Sequence, residues 1–588
     1  MSEQIEQQNN KVQATAEKTT AAAEQVAGFQ VVNEGFTTRE AIEEAKRCLH
    51  CKVPQCKKGC PIGNDIPDFV HELSMGNMGA AMSIINAKSN LPAICGRVCP
   101  HEKQCQGNCV LGKKGKPVQI GKLEQFVADF DTKMNLSREK LPQKTRGRVA
   151  VIGSGPAGLT VAGDLARQGF NVTIFEGQAE PGGVLMYGIP EYRLPKAVVR
   201  AEVSKIEALG VQFITNCMVG ENNVTIDSLF RAGYDAIFMG TGTSVPQNMD
   251  STPGAKLHGV SQSTYFLHNV NAYNEGALTR DMVPLRDGEK VGVIGGGNVA
   301  MDAARTAIRL GADVTVLYRK TQEEMPAIQS EYDEAVKEGV KFEWKTTVEA
   351  FLKGKNGRLG SCVLNTPEGE RVEKFDRIYL AIGSRPANRV VSTTAGIEVD
   401  EKGYVKVVER PFGMTTRRGV FAGGDVVHRP QTVVLAMKAA PLVKHLGQIE
   451  ARSAGSICTT YLSLPMRIVL NAFDARHILS PYFHLSKLVT LWQQKHRIGE
   501  ILQIDGSLQK ARFRHRSTVK LILHGPVTSV VGTCPMIVIG MNQSFTHRHM
   551  VFGIGYDAGF LCPDHCHSPT YQHDHQYSLL HSFFVLSY

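Results

Sequence analysis

The sequence predicts an α+β protein of several domains, in which a helical, cysteine-rich region precedes two doubly wound α/β units. Three observations predict this architecture. Eight of the 14 cysteines lie between Cys48 and Cys109. Two successions of strand, glycine-rich turn and helix begin at Val149 and Val291. Strands and helices alternate from there to about residue 440, which is typical of parallel sheets with helices on both faces, as in Rossmann-like domains.

The composition is that of a globular protein with an ample core. The chain has 588 residues, of which 42% are hydrophobic and 21% charged, and this length predicts about four domains. No run of ~18 apolar residues occurs, and the first 30 residues lack the apolar stretch of a secretory signal. We therefore expect a cytoplasmic protein without a membrane span. The net charge of +10 is modest, and no basic tract with interleaved aromatic residues suggests nucleic acid as a partner.

The domain order follows from the helical and strand patterns. A Gln-, Ala- and Glu-rich leader over residues 1–35 is expected to be mobile. Thr37 and Glu40 have capping-box spacing and begin a helix that leads to Cys48, so we expect order to begin near Phe36. The predicted domains are a helical domain over 36–140, a first α/β unit over 146–270, a second over 271–385, and the remainder of the first over 386–455.

The last part of the chain differs from the rest in composition. Residues 456–588 hold 12 of the 19 histidines but six of the 56 acidic residues, and their periodicity is weak. We expect an atypical, unstructured tail, of the kind that a frame-shifted translation or an added unrelated segment produces. The helix before it, predicted from Thr432 to Ala440, is followed at once by Pro441, which cannot continue a helix.

The clustered cysteines form two groups with short spacings. They are Cys48-x2-Cys51-x4-Cys56-x3-Cys60-Pro61 and Cys95-x3-Cys99-Pro100-x4-Cys105-x3-Cys109. Iron–sulfur clusters are held by thiolates at such spacings, and a Cys-Pro at the end of a run is typical of ferredoxins. Zinc is the alternative, but it favours paired Cys-x2-Cys knuckles, and one pair here has that spacing. Inert thiols are the third interpretation.

The first glycine-rich turn has the fingerprint of a dinucleotide site. It reads Gly153-Ser154-Gly155-Pro156-Ala157-Gly158. It follows a strand and opens a helix, and the next strand ends at Glu176, which is placed to accept hydrogen bonds from ribose hydroxyls. A glycine-rich turn without a ligand is the alternative.

The second turn, which reads Gly295-Gly296-Gly297-Asn298-Val299-Ala300, has the same setting. The strand after it ends in Arg319 and Lys320, where an NAD site would carry an acidic residue. Cations there pair with a 2′-phosphate, so the sequence favours NADPH over NADH. A solvated strand end is the alternative interpretation.

A third pattern, an apolar strand ending in Gly423-Gly424-Asp425, suits a flavin site. Asp425 would accept a hydrogen bond from the ribityl chain, and the helix beginning near Thr432 would direct backbone N–H groups at the flavin ring. Asp425 as a simple helix cap is the alternative. Flavin disulfide reductases also need a cysteine pair, but residues 146–455 contain only Cys217 and Cys362, which we expect to be buried apolar side chains. Electrons are therefore expected to leave through the cysteine-rich domain.

From about residue 30 to 440 the sequence resembles the small (beta) subunit family of NADPH-dependent glutamate synthase. The same module is similar to the N-terminal part of dihydropyrimidine dehydrogenase, the large subunit of NADH-dependent ferredoxin:NADP oxidoreductase and the sulfide dehydrogenase alpha subunit. The stretches that carry the resemblance are CLHCKVPQCKKGCPIGNDIP, LPAICGRVCPHEKQCQGNCVLGKKGKPVQIGKLEQF, VIGSGPAGL, GGVLMYGIPEYRLPK, VIGGGNVAMDAAR and GVFAGGDVV.

The resemblance implies two [4Fe–4S] clusters with interleaved ligands. One would take Cys48, Cys51, Cys56 and Cys109. The other would take Cys60, Cys99, Cys105 and a non-cysteine ligand at Glu124, with Gln125 as the competing neighbour and Cys95 as a non-ligand. FAD would be bound by the 153–176 unit, Gly182, Gly183, Arg193 and the region of Gly424, Asp425 and Thr432. NADPH would be bound by Gly295, Gly297, Asn298, Ala300, Arg319 and Lys320.

The resemblance also implies the activity. A hydride passes from NADPH to FAD, and single electrons pass to the clusters, because flavin converts two-electron into one-electron transfer. This step needs no side-chain acid or base, so no catalytic residue is assigned. The expected partner is a large (alpha) subunit that makes L-glutamate from glutamine and 2-oxoglutarate, within a hetero- or homo-oligomer. The alternatives are the ferredoxin:NADP or sulfide dehydrogenase subunit, with another iron–sulfur or flavin subunit as partner, and an inactive flavoprotein scaffold.

Overall fold

The computed structural model describes residues 28–438, except 33, 137–138, 140, 222–223, 410–411 and 430–431, together with five short strands beyond residue 510. The chain forms two compact units, Met1–Gly447 and Gln448–Tyr588, which are described separately. Within the described residues, no helix combines the length and the apolar character needed to cross a bilayer.

The N-terminal domain of the first unit is helical, as predicted. Its first helix begins with the expected capping box, in which the Thr37 side chain accepts from the Glu40 N–H and the Glu40 carboxylate accepts from the Thr37 N–H. A hydrophobic core joins the helices and includes Phe69, Leu73 and Leu123. The helices are α1 (Thr38–Ala45), α2 (Gln55–Gly59), α3 (Ile66–Ser74), α4 (Met78–Asn86), α5 (Pro92–Val98) and α6 (Ile120–Met134).

The first α/β domain is built on a seven-stranded sheet with the order β15-β16-β17-β4-β1-β2-β3. β1 is parallel to β2 and β4, and β17 returns much later in the chain to pair in parallel with β4. The strands are β1 (Arg148–Ile152), β2 (Asn171–Phe175), β3 (Gln212–Ile214), β4 (Ala236–Met239), β15 (Val407–Glu409), β16 (Phe412–Thr415) and β17 (Val420–Ala422). The helices are α7 (Pro156–Arg167), α8 (Val184–Tyr187), α9 (Lys196–Ala208), α10 (Ile226–Arg231), α14 (Arg389–Ser392) and α15 (Val433–Met437).

The second α/β domain is inserted between β4 and β15 and has a five-stranded parallel sheet with the order β6-β13-β7-β8-β9. Antiparallel strands β10–β12 form a separate sheet within this domain. The antiparallel pair β5–β14 joins the two segments that connect this domain to the first α/β domain. The strands are β5 (Val245–Pro246), β6 (Val260–Gln262), β7 (Lys290–Ile294), β8 (Asp313–Tyr318), β9 (Lys341–Trp344), β10 (Thr347–Lys353), β11 (Leu359–Thr366), β12 (Gly369–Lys374), β13 (Arg377–Leu380) and β14 (Ser384–Arg385). The helices are α11 (Ser263–Asn274), α12 (Asn298–Arg309) and α13 (Gln329–Lys337).

Two details differ from the predicted domain limits. The predicted boundary between residues 270 and 271 lies inside α11, and β6 already belongs to the sheet of the inserted domain, because a three-residue edge strand carries too little periodicity to be assigned. Ordered contacts also begin before the predicted Phe36. The Val32 N–H donates to the Tyr192 carbonyl, and the Gly28 carbonyl accepts from Arg309.

The second unit is described only as short strands. β18 (Arg512–Arg514) pairs with β19 (Thr518–Lys520), and β20 (Met536–Gly540), β21 (His549–Gly555) and β22 (Phe583–Ser587) form an antiparallel sheet. The other residues of the predicted tail lie outside the described residues, as do Ala440 and Pro441 at the end of the helix that was predicted from Thr432.

Candidate functional site: two cysteine sets and two nucleotide turns

The first set of cysteines surrounds a pocket in the helical domain. Cys48, Cys51, Cys56 and Cys109 line this pocket together with apolar side chains. Burial raises the pKa of Cys56 to about 11, and the other three thiols raise it further because they lie close by. Bound metal would favour the thiolate forms that burial opposes. The donor set therefore fits an iron–sulfur cluster.

The second set gathers around the carboxylate of Glu124. Burial raises the pKa of Cys60 and Cys105, and the charge of Glu124 raises both further. The pKa of Cys99 is raised first by its hydrogen bond with Cys95, then by burial and by Glu124. Cys60 is thus grouped with cysteines far along the chain, although the charge of Cys56 also reaches Cys105. The interleaving that the family resemblance implies would use this grouping, and it stays a prediction.

Among the described residues, no three His, Cys, Asp or Glu side chains converge on a position for a single metal ion.

The structure distinguishes the two candidates for the non-cysteine ligand. Glu124 is buried on α6 and accepts a hydrogen bond from Asn64 at 3.3 Å. Burial raises its pKa to about 8, and the charge of Glu202 adds to this effect. The Gln125 side chain instead ends beside Gly35. A Cβ added to Gly35 would lie 3.3 Å from Gln125 Nε2. Glu124 therefore faces the cysteines, whereas Gln125 faces the segment before α1.

The first glycine-rich turn is shaped by contacts that exclude larger side chains. Gly153 has a φ of +94°, and a Cβ at Gly158 would lie 2.0 Å from the Gly153 carbonyl oxygen. A Cβ at Gly155, by contrast, would meet no atom within 4 Å. Pro156 begins α7 and Ala157 is buried behind it. The turn therefore leaves open space in front of a helix N-terminus, which fits a pyrophosphate.

Glu176 lies at the end of β2 and is joined to this turn. Its carboxylate accepts from the Ser154 N–H at 2.9 Å and from Ser154 Oγ at 2.5 Å. Ser154 Oγ in turn accepts from the Gly182 N–H at 2.9 Å. Gly183 has a φ of +54° and approaches the backbone of Gly155. A Cβ added to Gly183 would lie 3.0 Å from the Cα of Gly155. The predicted FAD residues of this region therefore share one edge of the sheet.

Asp425 approaches the same turn from the other end of the chain. It follows β17, and a Cβ at Gly424 would lie 2.8 Å from the Cβ of Ala157. Burial raises the pKa of Asp425 to about 6, and no described group donates a hydrogen bond to its carboxylate. Thr432 caps α15 by accepting from the Leu435 N–H. A half-buried carboxylate without a protein donor fits a ligand that supplies hydroxyl groups.

The second turn repeats the geometry of the first. Gly295 has a φ of +141°, and a Cβ there would lie 2.5 Å from the Ala381 carbonyl oxygen. Gly297 faces open space at the N-terminus of α12, and Ala300 is fully buried. Asn298 Oδ1 accepts from the Ile328 N–H at 2.9 Å. This turn also fits a pyrophosphate.

The two predicted cations follow β8 at the same edge of the inserted sheet. Both are exposed. Lys320 Nζ lies 3.0 Å from Glu324 Oε1, whereas Arg319 has no ion-pair partner among the residues that the structure describes. Arg319 is therefore the cation that is free to bind an anionic ligand.

Arg193, for which a contact with FAD is predicted, makes ion pairs across the two α/β domains. Its buried guanidinium is bound to Asp302 at 2.6 Å and to Glu331 at 2.9 Å, both in the inserted domain. These carboxylates raise its pKa although burial opposes the charge. The ion pairs supply the compensating charge that a buried guanidinium needs, and the contact with FAD stays a prediction.

Sequence reasoning missed two buried residues beside the site. Lys196 is fully buried and donates to the carbonyls of Leu185, Ile189 and Leu194. Cys95 lies between the helical domain and α15, with its Sγ 3.6 Å from Met437 Sδ. Lysines are rarely buried, and the spacing that groups Cys95 with Cys99 carries no information about a contact with α15, so the sequence could identify neither role.

Comparisons with known proteins agree with this organisation. The family model described as dihydropyrimidine dehydrogenase domain II, 4Fe-4S cluster, matches residues 25–136, and that of pyridine nucleotide-disulphide oxidoreductase matches residues 147–440. The glutamate synthase [NADPH] small chain of Halomonas elongata is 35% identical over 461 residues, which cover 74% of this chain and 94% of that protein. This chain belongs to the glutamate synthase small-chain family.

Other members and relatives of the glutamate synthase small-chain family match over the same region. The glutamate synthase [NADPH] small chain of Escherichia coli is 32% identical, covering 70% of this chain and 91% of that protein. An Escherichia coli NAD-dependent dihydropyrimidine dehydrogenase subunit is 34% identical, covering 70% and 95%. Lactococcus lactis thioredoxin reductase has a TM-score of 0.40 and 23% identity, over 52% of this chain and 98% of that one. The family matches confirm the predicted fold class and an oxidoreductase with an iron–sulfur domain.

Proposed function

We propose that this chain is the electron-input subunit of an NADPH-dependent glutamate synthase. In this proposal it oxidises NADPH and delivers electrons to a large subunit that makes L-glutamate from glutamine and 2-oxoglutarate. The observation that carries the proposal is the joint presence, in one compact unit, of two nucleotide turns and two ligand sets. The near full-length match to small chains of that name supports it.

For FAD and for NADPH, the chain has a set of residues that would hold the nucleotide. FAD would lie on the first turn, with its pyrophosphate at Gly155 and its hydroxyl groups at Glu176 and Asp425. NADPH would lie on the turn at Gly297, with Arg319 at its 2′-phosphate. When bound, the flavin would accept a hydride from NADPH and release electrons singly to the iron–sulfur clusters.

The chain itself contributes binding, orientation and insulation. The open glycines admit the phosphates close to helix N-termini, which favour negative charge. The ion pairs of Arg193 hold the inserted domain against the FAD-binding domain. The contact of Cys95 with Met437 joins the second ligand set to the helix that follows Asp425. These contacts support a path from the nicotinamide site through the flavin site to the cysteine sets.

The remaining thiols of the α/β domains do not form a dithiol. Cys362 is fully buried on β11, within the core of the inserted domain, as expected. Cys217 is partly exposed, contrary to the prediction, and packs against the core of the FAD-binding domain. Two cysteines in separate cores cannot exchange electrons as a disulfide pair. The favoured route for the electrons is therefore through the cysteine-rich domain. A protein with this many reduced thiols is also suited to the cytoplasm, where thiols are kept reduced.

The experiment that tests the proposal is anaerobic affinity purification from the native host, followed by reconstitution with the captured partner. We expect a large subunit with glutaminase activity, and NADPH-dependent glutamate formation that requires both chains. Capture of a flavin or iron–sulfur subunit, with NADPH-dependent reduction of ferredoxin and no glutamate formed, would contradict the proposal. That result would favour the ferredoxin:NADP oxidoreductase type.

A further inference from the structure

The segments that supply the first cysteine set are unusually basic at the surface. Residues 46–64 and 103–123 contain no aspartate or glutamate. Lys57 is paired with Asp65 on the adjoining helix. Lys103 is also exposed, but it donates to the Ala327 carbonyl in the inserted domain. The other exposed lysines of these segments are called the lysine rim, which consists of Lys46, Lys52, Lys58, Lys113, Lys114 and Lys116.

The lysine rim lies directly beside the pocket of the first set. Lys52 stands between the pocket residues Cys51 and Pro54, and Lys113 to Lys116 stand between the pocket residues Leu111 and Val118. Val53, next to Lys52, is 59% exposed. Like charges next to a small exposed apolar side chain attract and orient an oppositely charged protein.

The two cysteine sets differ in depth. Cys105 and Glu124 of the second set are buried and Cys60 and Cys99 are partly exposed, and this set adjoins Cys95, which contacts Met437 in the FAD-binding domain. All four cysteines of the first set are partly exposed. The first set is therefore the more accessible of the two to an external protein, and lysines of the rim lie next to its pocket residues in the chain.

We propose that the lysine rim is a docking surface for an acidic, electron-accepting protein. The charge complementarity would guide the acceptor to the first ligand set and raise the rate of encounter at low ionic strength. This inference rests on the proposed function, since it names the surface through which electrons leave. It adds that the acceptor presents Asp and Glu side chains around its own redox centre.

The test compares a triple variant of the lysine rim with a matched triple variant elsewhere. Lys52, Lys113 and Lys114 are changed to Glu in the first, and the exposed Lys353, Lys355 and Lys374 of the β10–β12 sheet in the second. The probe is an acidic plant-type [2Fe–2S] ferredoxin, which serves as an acidic protein surface and not as the proposed physiological acceptor, and its binding to each holoprotein is measured at low and at near-physiological ionic strength. Reduction of an uncharged dye by NADPH is measured separately.

We expect wild type and the β-sheet variant to bind the ferredoxin alike, and more weakly as salt is added. The rim variant should bind about tenfold more weakly at low salt and lose most of the salt dependence. Equal binding by the two variants, or no binding by wild type, would overturn the inference. If wild type does not reduce the dye with NADPH, the proposed function is contradicted. The docking inference is still tested in that case, because the binding assay does not depend on turnover.

Discussion

At the scale of single residues, Glu124 is the proposed fourth ligand of the second set. Its carboxylate would be the oxygen donor of that set, and a metal centre would compensate the charge that its burial disfavours. Sequence spacing left the choice between Glu124 and Gln125 open. The direction in which each side chain points along α6 favours Glu124.

We predict that Glu124→Ala loses about half of the bound iron and labile sulfide, because one of the two clusters lacks its fourth ligand. Glu124→Gln should keep most of it, since an amide oxygen can still bind. Gln125→Ala is the control and should keep its iron. Iron and sulfide analysis of the anaerobically purified proteins measures the effect, and equal loss in the Glu124 and Gln125 variants would contradict the assignment.

Lys196 is a second residue whose environment makes a measurable prediction. Burial lowers its pKa from 10.5 to about 8, although nearby carboxylates favour the charge. Between these two values the unfolded chain binds more protons than the folded one, so stability rises with pH. Relative to Lys196→Met, wild type should gain about 3 kcal/mol between roughly pH 8 and pH 10.5.

Calorimetry of the holoproteins across this pH range measures the Lys196 effect. The difference between wild type and variant removes the contribution of the other lysines. A difference that stays constant with pH, or that falls as pH rises, would show that Lys196 is not buried as the structure places it.

At the scale of elements, the two nucleotide turns share one design and differ at the end of the following strand. β2 ends at a glutamate held by the first turn, whereas β8 ends at the exposed Arg319 and Lys320. Arg319 is the stronger candidate to bind the 2′-phosphate, because Lys320 forms an ion pair with Glu324.

We predict that Arg319→Ala raises the KM for NADPH about tenfold or more and leaves the KM for NADH unchanged, because one charged hydrogen bond is lost. Lys320→Ala should have a smaller effect in the same direction. Steady-state dye reduction with each nucleotide measures both. An equal rise for NADPH and NADH in Arg319→Ala would show that the residue does not recognise the phosphate.

Helices α12 and α13 are joined by a buried ion-pair network that also reaches the N-terminal segment. Arg305 and Arg309 both donate to Glu338, and Arg309 also donates to the Gly28 carbonyl. Glu338→Gln leaves two buried cations undercompensated and should cost about 3–5 kcal/mol of stability. Lys341→Ala, which removes an exposed pair with Asp313, is the control and should cost under ~1 kcal/mol.

Denaturant unfolding monitored by tryptophan fluorescence compares the two changes. A cost for Glu338→Gln no larger than that of the control would contradict the role of the network.

The elements that sequence predicted well have strong local patterns. β1, β2, β7 and β8 are short apolar runs bounded by glycine-rich turns or acidic residues, and the structure has them within one or two residues of the predicted limits. What sequence could not predict depends on contacts between distant segments. The ion pairs of Arg193, the burial of Lys196 and the assignment of β6 to the inserted sheet are of this kind.

At the scale of the whole molecule, interdomain contacts such as Cys95 with Met437 and Arg193 with Asp302 join the helical domain and the two α/β domains. In the proposed function, electrons would pass from the nucleotide turn of the inserted domain to the flavin-type site, then to the second cysteine set and to the first set. The central claim is that electrons from NADPH reach iron–sulfur clusters in the helical domain.

The measurement that tests this claim most directly is an anaerobic titration of the purified holoprotein with NADPH, followed by optical and electron paramagnetic resonance spectra. The account predicts bleaching of a flavin and the appearance of reduced iron–sulfur signals from the same sample. A protein that contains zinc and no labile sulfide, or a flavin that is reduced without any cluster signal, would contradict it.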